Sequence, residues 1–223
     1  MSERSEPSAL RSVGERGLAW WPEVALVALF AAVTLAFANG WLLGLDVAVR
    51  DWCDAWRERL PATGVLARLL NLPGQGSVLT VGSLGLALLL ARRTRSWRPL
   101  LPVVAAYLLT YLTLGPLKLW LDRAAPHASV PHPERFFSGG LSYPGGHLVN
   151  TIVWYGVLVA LLSALLPQGL PPRWRLLLRV VPPVVVALAN TYLGYHWLTD
   201  NLGAVPLALA IDRVVSRLIR WAR

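Results

Sequence analysis

Six stretches of this chain run almost without charge over lengths close to a membrane span: 20–45, 77–91, 100–121, 147–166, 176–195 and 200–218. The hydrocarbon core of a bilayer is about 30 Å thick and takes about 20 apolar residues as a helix. Glu23 is the only charge in the first run, and Lys118 the only one in the third. The second run is short and extends backwards if it spans. Pro182-Pro183 inside the fifth predicts a kink, because proline removes helix hydrogen bonds. Composition supports the same reading. Charged residues make up 15% of the chain and hydrophobic residues 55%, against about 25% charged in soluble domains. This composition excludes a disordered chain and disfavours a water-soluble globule. The expected fold is an all-α integral membrane bundle of six transmembrane helices, with a tail at 1–19 and one membrane domain at 20–223. A cleaved signal peptide is the rival reading of the first run, since Arg11 and Arg16 precede it and Ala36-Phe37-Ala38 resembles a cleavage site. The run is longer than a signal core.

The net charge is +9, from 20 Arg and one Lys against 12 acids. The basic residues sit between apolar runs, which points to the inner face of a bilayer rather than to nucleic acid. In the loops, 14 of them fall on one side, including Arg4, Arg11 and Arg16, the cluster 92–98, and Arg213 to Arg223. The other six are Arg50, Arg57, Arg59, Arg68, Arg123 and Arg135, largely offset by Asp46, Asp51, Asp54, Glu58, Asp122 and Glu134. This split predicts a multi-pass plasma-membrane protein with both termini cytoplasmic. The single cysteine, Cys53, excludes an internal disulfide and a cysteine-based metal cluster. Along 45–60, Leu45, Val49, Trp52, Trp56 and Leu60 recur at helical spacing with charges between them. That pattern is an amphipathic helix on the outer side, either lying on the leaflet or packed on the bundle.

The groups with chemistry gather on that outer side. All four histidines, His127, His132, His147 and His196, fall there, as does Lys118 near the end of the third run. An ammonium inside a membrane helix requires a partner or a wet cavity, or else snorkels to the interface. His196 and Asp200 are four apart and share a face if helical. A carboxylate there holds one imidazole nitrogen and leaves the other as nucleophile or base. His147 follows Pro144-Gly145-Gly146 and opens the fourth run, where glycines permit close backbone approach and a helix start offers N–H groups to an anion. Each motif alone is common; a bare Gly-Gly-His is more often a turn than a site.

Taken together, the three resemble the type-2 phosphatidic-acid phosphatases, which share a site design with vanadium haloperoxidases. The family pattern is Lys, six residues, Arg-Pro; then Pro-Ser-Gly-His; then Ser-Arg, five residues, His, three residues, Asp. This chain has Lys118 with Ala125-Pro126, then Pro144-Gly145-Gly146-His147, then Ala189-Asn190 with His196 and Asp200. The resemblance covers about residue 45 to 210. It implies His196 as the nucleophile forming a phosphohistidine, Asp200 as its orienting group, His147 as the acid for the leaving oxygen and Lys118 as a ligand of the phosphoryl oxygens. No metal or organic cofactor is implied.

The departures fall on the phosphate grip. Ala125 and Asn190 stand where the family has arginines, and Gly145 where it has serine. Charge-assisted hydrogen bonds contribute roughly 1.5–3 kcal/mol each. Losing two therefore removes about 3–6 kcal/mol of transition-state stabilisation, very roughly 10² to 10⁴ in rate. Candidate replacements are Arg123, Arg135, the loop histidines, the Asn190 amide, and the backbone N–H groups of Gly145 and Gly146. The expected function is hydrolysis of a lipid phosphate or diphosphate, of polyprenyl diphosphate or phosphatidate type, at the outer face. The expected partners are the bilayer and its lipid substrate, not nucleic acid. A non-catalytic relative binding lipid or protein, a lipid phosphotransferase and, more weakly, a small transporter are the alternatives.

Overall fold

The computed structural model describes residues 20–221, with side chains to residue 219. The 1–19 tail with Arg4, Arg11 and Arg16, Arg223, and the side chains of Arg220 and Trp221 lie outside the described residues. Among the described residues the fold is all helical: α1 (Trp21–Ala38), α2 (Leu43–Arg59), α3 (Pro61–Asn71), α4 (Gly76–Thr94), α5 (Leu101–Leu121), α6 (Gly146–Leu165), α7 (Pro172–Tyr192) and α8 (Leu198–Trp221). Short 3-10 turns at Leu72–Gly74 and Arg98–Leu100 lead into α4 and α5. Among the described residues, five segments are long and apolar enough to cross a membrane: Trp21–Ala38, Pro61–Thr94, Arg98–Leu121, Gly146–Leu165 and Pro172–Tyr192. The second expected run thus extends backwards through α3. The expected sixth run is the 24-residue α8, which carries more charge than the others. The protein is a multi-pass membrane protein.

Helix α6 is the hub, packing against α4, α7 and α8, while α1 packs against α8. Val149, Val153, Trp154 and Val157 of α6 are fully buried, one helical stripe of the kind that faces neighbours all round. The outer faces are apolar instead: Val24, Val81, Leu112 and Leu188 are each more than 60% exposed. Apolar area on that scale suits lipid, not water. Helix α7 continues through Pro182 and Pro183 as one element, so the expected kink does not end it.

Helix α2 is packed on the bundle by one face and exposed on the other. Asp46 and Cys53 are buried, while Trp52 is 59% exposed. Burial pushes the Cys53 thiol above its ordinary pKa, which keeps it protonated and unreactive.

At the opposite end of the bundle, Glu23 is buried and paired. It accepts from Arg213 Nε at 3.1 Å and from Arg217 Nε at 2.8 Å and Nη2 at 2.9 Å. This ties the start of α1 to the end of α8. Glu23→Ala removes the carboxylate that Arg213 and Arg217 share and is expected to lower the thermal midpoint in detergent micelles. Arg213→Ala, at a half-exposed position, is expected to cost under about 1 kcal/mol.

Candidate active site

The loop 122–145 folds over the end of α5 and the starts of α6 and α8 and brings three distant segments together. Its anchor is Tyr143, fully buried against Phe30 and Phe136. The Tyr143 hydroxyl shares a 2.7 Å hydrogen bond with Thr34 Oγ1 of α1. Burial raises the Tyr143 phenol to about 12, so it stays protonated. A β-carbon at Gly203 would lie 2.2 Å from that hydroxyl oxygen, so only glycine lets α8 approach.

His147 and His196 face each other beneath this loop. Their closest ring nitrogens, His147 Nδ1 and His196 Nε2, are 3.5 Å apart. His147 is partly exposed and sits on the first turn of α6. His196 lies in the bend before α8 and is nine-tenths buried. Lys118, on the last turn of α5, donates to Leu141 O at 2.5 Å and Ser142 O at 3.2 Å. An ammonium has three protons, so one remains. Its environment is the start of α6: a β-carbon at Gly146 would lie 3.7 Å from Lys118 Nζ. The N–H groups of Gly146, His147 and Leu148 have no acceptor within their own helix; the first paired one is Val149 N–H, on Gly145 O. A helix start beside a lysine and two histidines is suited to an anion.

Gly145 does not belong to that set of donors. Its N–H is spent on Asp200 O at 3.0 Å. A β-carbon at Gly145 would lie 2.8 Å from Asn201 Oδ1 and 3.2 Å from Asp200 O. A serine here has no room unless Asn201 gives way. Asn190 is fully buried, and neither polar atom of its amide has a partner among the described residues.

Asp200 is wholly enclosed and accepts four hydrogen bonds. Oδ1 takes Arg123 Nη1 at 2.6 Å. Oδ2 takes Ser142 Oγ at 2.5 Å and Trp197 N–H at 3.0 Å, with His196 Nδ1 farther off at 3.5 Å. The Asp200 carbonyl takes Gly145. Arg123 is equally enclosed and has no exposed surface. Its guanidinium donates to Asp200, to Thr199 Oγ1 at 2.7 Å, to Asp46 Oδ2 at 2.7 Å and to Glu134 O at 2.9 Å. Four of five donors are thus used inside the protein. Its faces lie against Phe136 and Trp197. Arg123 therefore stands behind Asp200, with its donors spent away from the two histidines.

The other expected substitutes face elsewhere. Arg135 and His132 are exposed beside Glu134. His127 packs over Gly194, next to Asp54 and Arg57. Three residues of this network were not singled out by sequence: Ser142, Thr199 and Asp46. Asp46 caps Thr199 from α2, 153 positions away, accepting its N–H at 3.0 Å and its hydroxyl at 2.5 Å. No local spacing signals a contact at that separation. Ser142, two residues before Pro144, carried no pattern of its own.

On the far side of α8 from α1, helices α2, α3, α7 and α8 enclose an apolar groove of about 740 Å³. Leu148 and Asn201, the chain neighbours of His147 and Asp200, contribute to its wall, as do Trp56, Cys53, Leu188 and Val205.

Two histidines, a lysine and a buried aspartate thus meet under one loop at one end of a helical membrane bundle. The sequence profile of the PAP2 superfamily matches residues 99–223, more than half of the chain, and the chain belongs to that superfamily. It is 31% identical over 102 residues to phosphatidylglycerophosphatase B of Bacillus subtilis (strain 168), a match covering 45% of this chain and 48% of that protein. The match thus spans about half the length of that relative. The crystal structure of the first transmembrane PAP2 type phosphatidylglycerolphosphate phosphatase from Bacillus subtilis superposes with a TM-score of 0.73 at 23% identity, over 88% of this chain and 94% of that one. That likeness establishes the fold.

Arg123→Ala is expected to leave Asp46 and Asp200 as unpaired buried carboxylates, at a cost of about 3–5 kcal/mol. Arg123→Lys is expected to recover only part, since an ammonium cannot span both carboxylates in one plane. Thermal unfolding in detergent reads both, with Arg135→Ala expected to lie within about 0.5 kcal/mol of the parent.

Proposed function

We propose that the chain is an integral-membrane lipid phosphatase that works through a phosphohistidine on His196. The observation that carries this reading is the 3.5 Å approach of His147 Nδ1 to His196 Nε2, next to the unpaired start of α6 and the spare proton of Lys118. In the proposed reaction, His196 Nε2 attacks phosphorus, the P–O bond to the lipid breaks, and His147 passes a proton to the departing oxygen. His147 then takes a proton from water as that water attacks the phosphohistidine, releasing inorganic phosphate and free His196. Lys118 and the N–H groups of Gly146, His147 and Leu148 hold the phosphoryl oxygens, in place of the arginines absent at Ala125 and Asn190. The substrate class is a lipid phosphate of the phosphatidylglycerophosphate or phosphatidate type, with polyprenyl diphosphate as the second candidate. The apolar groove beside the site offers hydrocarbon chains a place next to the two histidines. The site faces outward and both termini face the cytoplasm, as the distribution of arginines supports.

A non-catalytic relative that only binds a lipid head group is favoured by the two missing arginines and by the unpartnered Asn190 amide. Phosphate release from a panel of lipid phosphates by protein purified in micelles decides between the two. The expected result is turnover that His196→Ala abolishes and Asp200→Asn reduces by about 10- to 100-fold. A protein that is folded, binds lipid and is inert on every substrate overturns the phosphatase reading. Gly145→Ser, which reinstates the family residue, is expected to cost about 1–3 kcal/mol by overpacking against Asn201 and not to raise turnover. For orientation, a cysteine at Ser129 in a Cys53→Ala background is expected to react with an impermeant thiol reagent on intact cells.

A further inference from the structure

We infer that Ser142 is a positioning residue that sets the tautomer of His196. The inference rests on the phosphatase reading for its catalytic consequence, and on hydrogen-bond geometry for the tautomer itself. The aspartate does not hold the nucleophilic imidazole directly: His196 Nδ1 and Asp200 Oδ2 are 3.5 Å apart, beyond an ordinary hydrogen bond. Ser142 Oγ lies to one side and bridges them, 2.5 Å from Asp200 Oδ2 and 3.2 Å from His196 Nδ1. A serine hydroxyl has one proton and an ionised carboxylate has none. The short contact to Asp200 therefore takes the hydroxyl proton, and the serine oxygen is left to accept. It can accept from His196 only if Nδ1 carries the imidazole proton. That fixes Nε2 as the unprotonated nitrogen, the one that faces His147.

The three partners cannot shift to replace Ser142. Asp200 is pinned by Arg123 on one oxygen and by Trp197 N–H on the other, so it does not slide to close the 3.5 Å gap. Ser142 itself is held through its backbone, with its N–H on Arg123 O at 2.8 Å and its carbonyl under Lys118 Nζ at 3.2 Å. These backbone bonds survive a change of side chain. Ser142 is 4% exposed, so water does not supply the missing hydroxyl at low cost. The order is a relay, Arg123 to Asp200 to Ser142 to His196, in which the hydroxyl transmits the aspartate's charge to the ring.

The test reads the tautomer without relying on activity. Protein labelled with ¹⁵N-histidine, in micelles at about pH 8 where an ordinary imidazole is neutral, gives separate resonances for protonated and unprotonated ring nitrogens. The His196 signals are identified by their loss in His196→Ala. The parent is expected to show a protonated Nδ1 and a bare Nε2. Ser142→Ala is expected to give a mixture of tautomers, with kcat reduced about 10- to 100-fold and KM changed by less than about twofold. Ser142→Thr, which keeps the hydroxyl, is expected to restore both the spectrum and kcat. If the alanine variant is not recovered folded, Ser142→Cys gives the same reading, its weaker donor producing an intermediate mixture. An unchanged Nδ1–H signature in Ser142→Ala or Ser142→Cys overturns the inference. Absence of turnover in the parent overturns the phosphatase reading alone, because the spectra still report on Ser142.

Discussion

A single buried guanidinium holds one end of this helical bundle together. Arg123 has a carboxylate on each side, Asp46 from α2 and Asp200 from α8, each 77 positions away in sequence and each within 2.7 Å. None of the three is exposed to solvent to any useful degree. Two carboxylates without the arginine would be buried charges of the same sign, and the arginine without them would be a cation in a dry interior. The arrangement exists only when all three are present, which makes the position of Asp200 very well determined. Everything argued about His196 depends on that, because Asp200 is the fixed point from which Ser142 and Trp197 N–H are placed.

The membrane bundle was largely legible in the sequence, and the reason is periodicity on a scale that local residues set. The apolar runs at 100–121 and 147–166 became α5 and α6 within a residue or two at most ends. The amphipathic pattern at 45–60 became α2, and its buried stripe holds Asp46, which reads in the sequence as just another charge. The run at 77–91 was drawn too short because α3 and the turn at Leu72–Gly74 precede it and share its apolar character. Pro182-Pro183 predicts a kink, and α7 runs through both prolines as one helix.

Site legibility stopped where contacts became long-range. His147, His196, Asp200 and Lys118 stand in motifs with fixed spacing, and the fold gathers them at one end of the bundle. Arg123 was visible as a charge near the gap at Ala125, but its direction was not, since only the position of Asp46 and Asp200 decides which way the guanidinium turns. Ser142 and Thr199 are ordinary hydroxyl residues in sequence and acquire meaning only from partners 54 to 153 positions away. Gly145 looks in the sequence like a source of a backbone donor, and its N–H is instead spent on the Asp200 carbonyl.

The bare start of α6 has a kinetic consequence. A grip made of backbone dipoles and one shared lysine carries less fixed positive charge than one made with two arginines, and it holds orthophosphate less tightly for the same reason. In the proposed phosphatase reaction, that weaker hold favours release of orthophosphate.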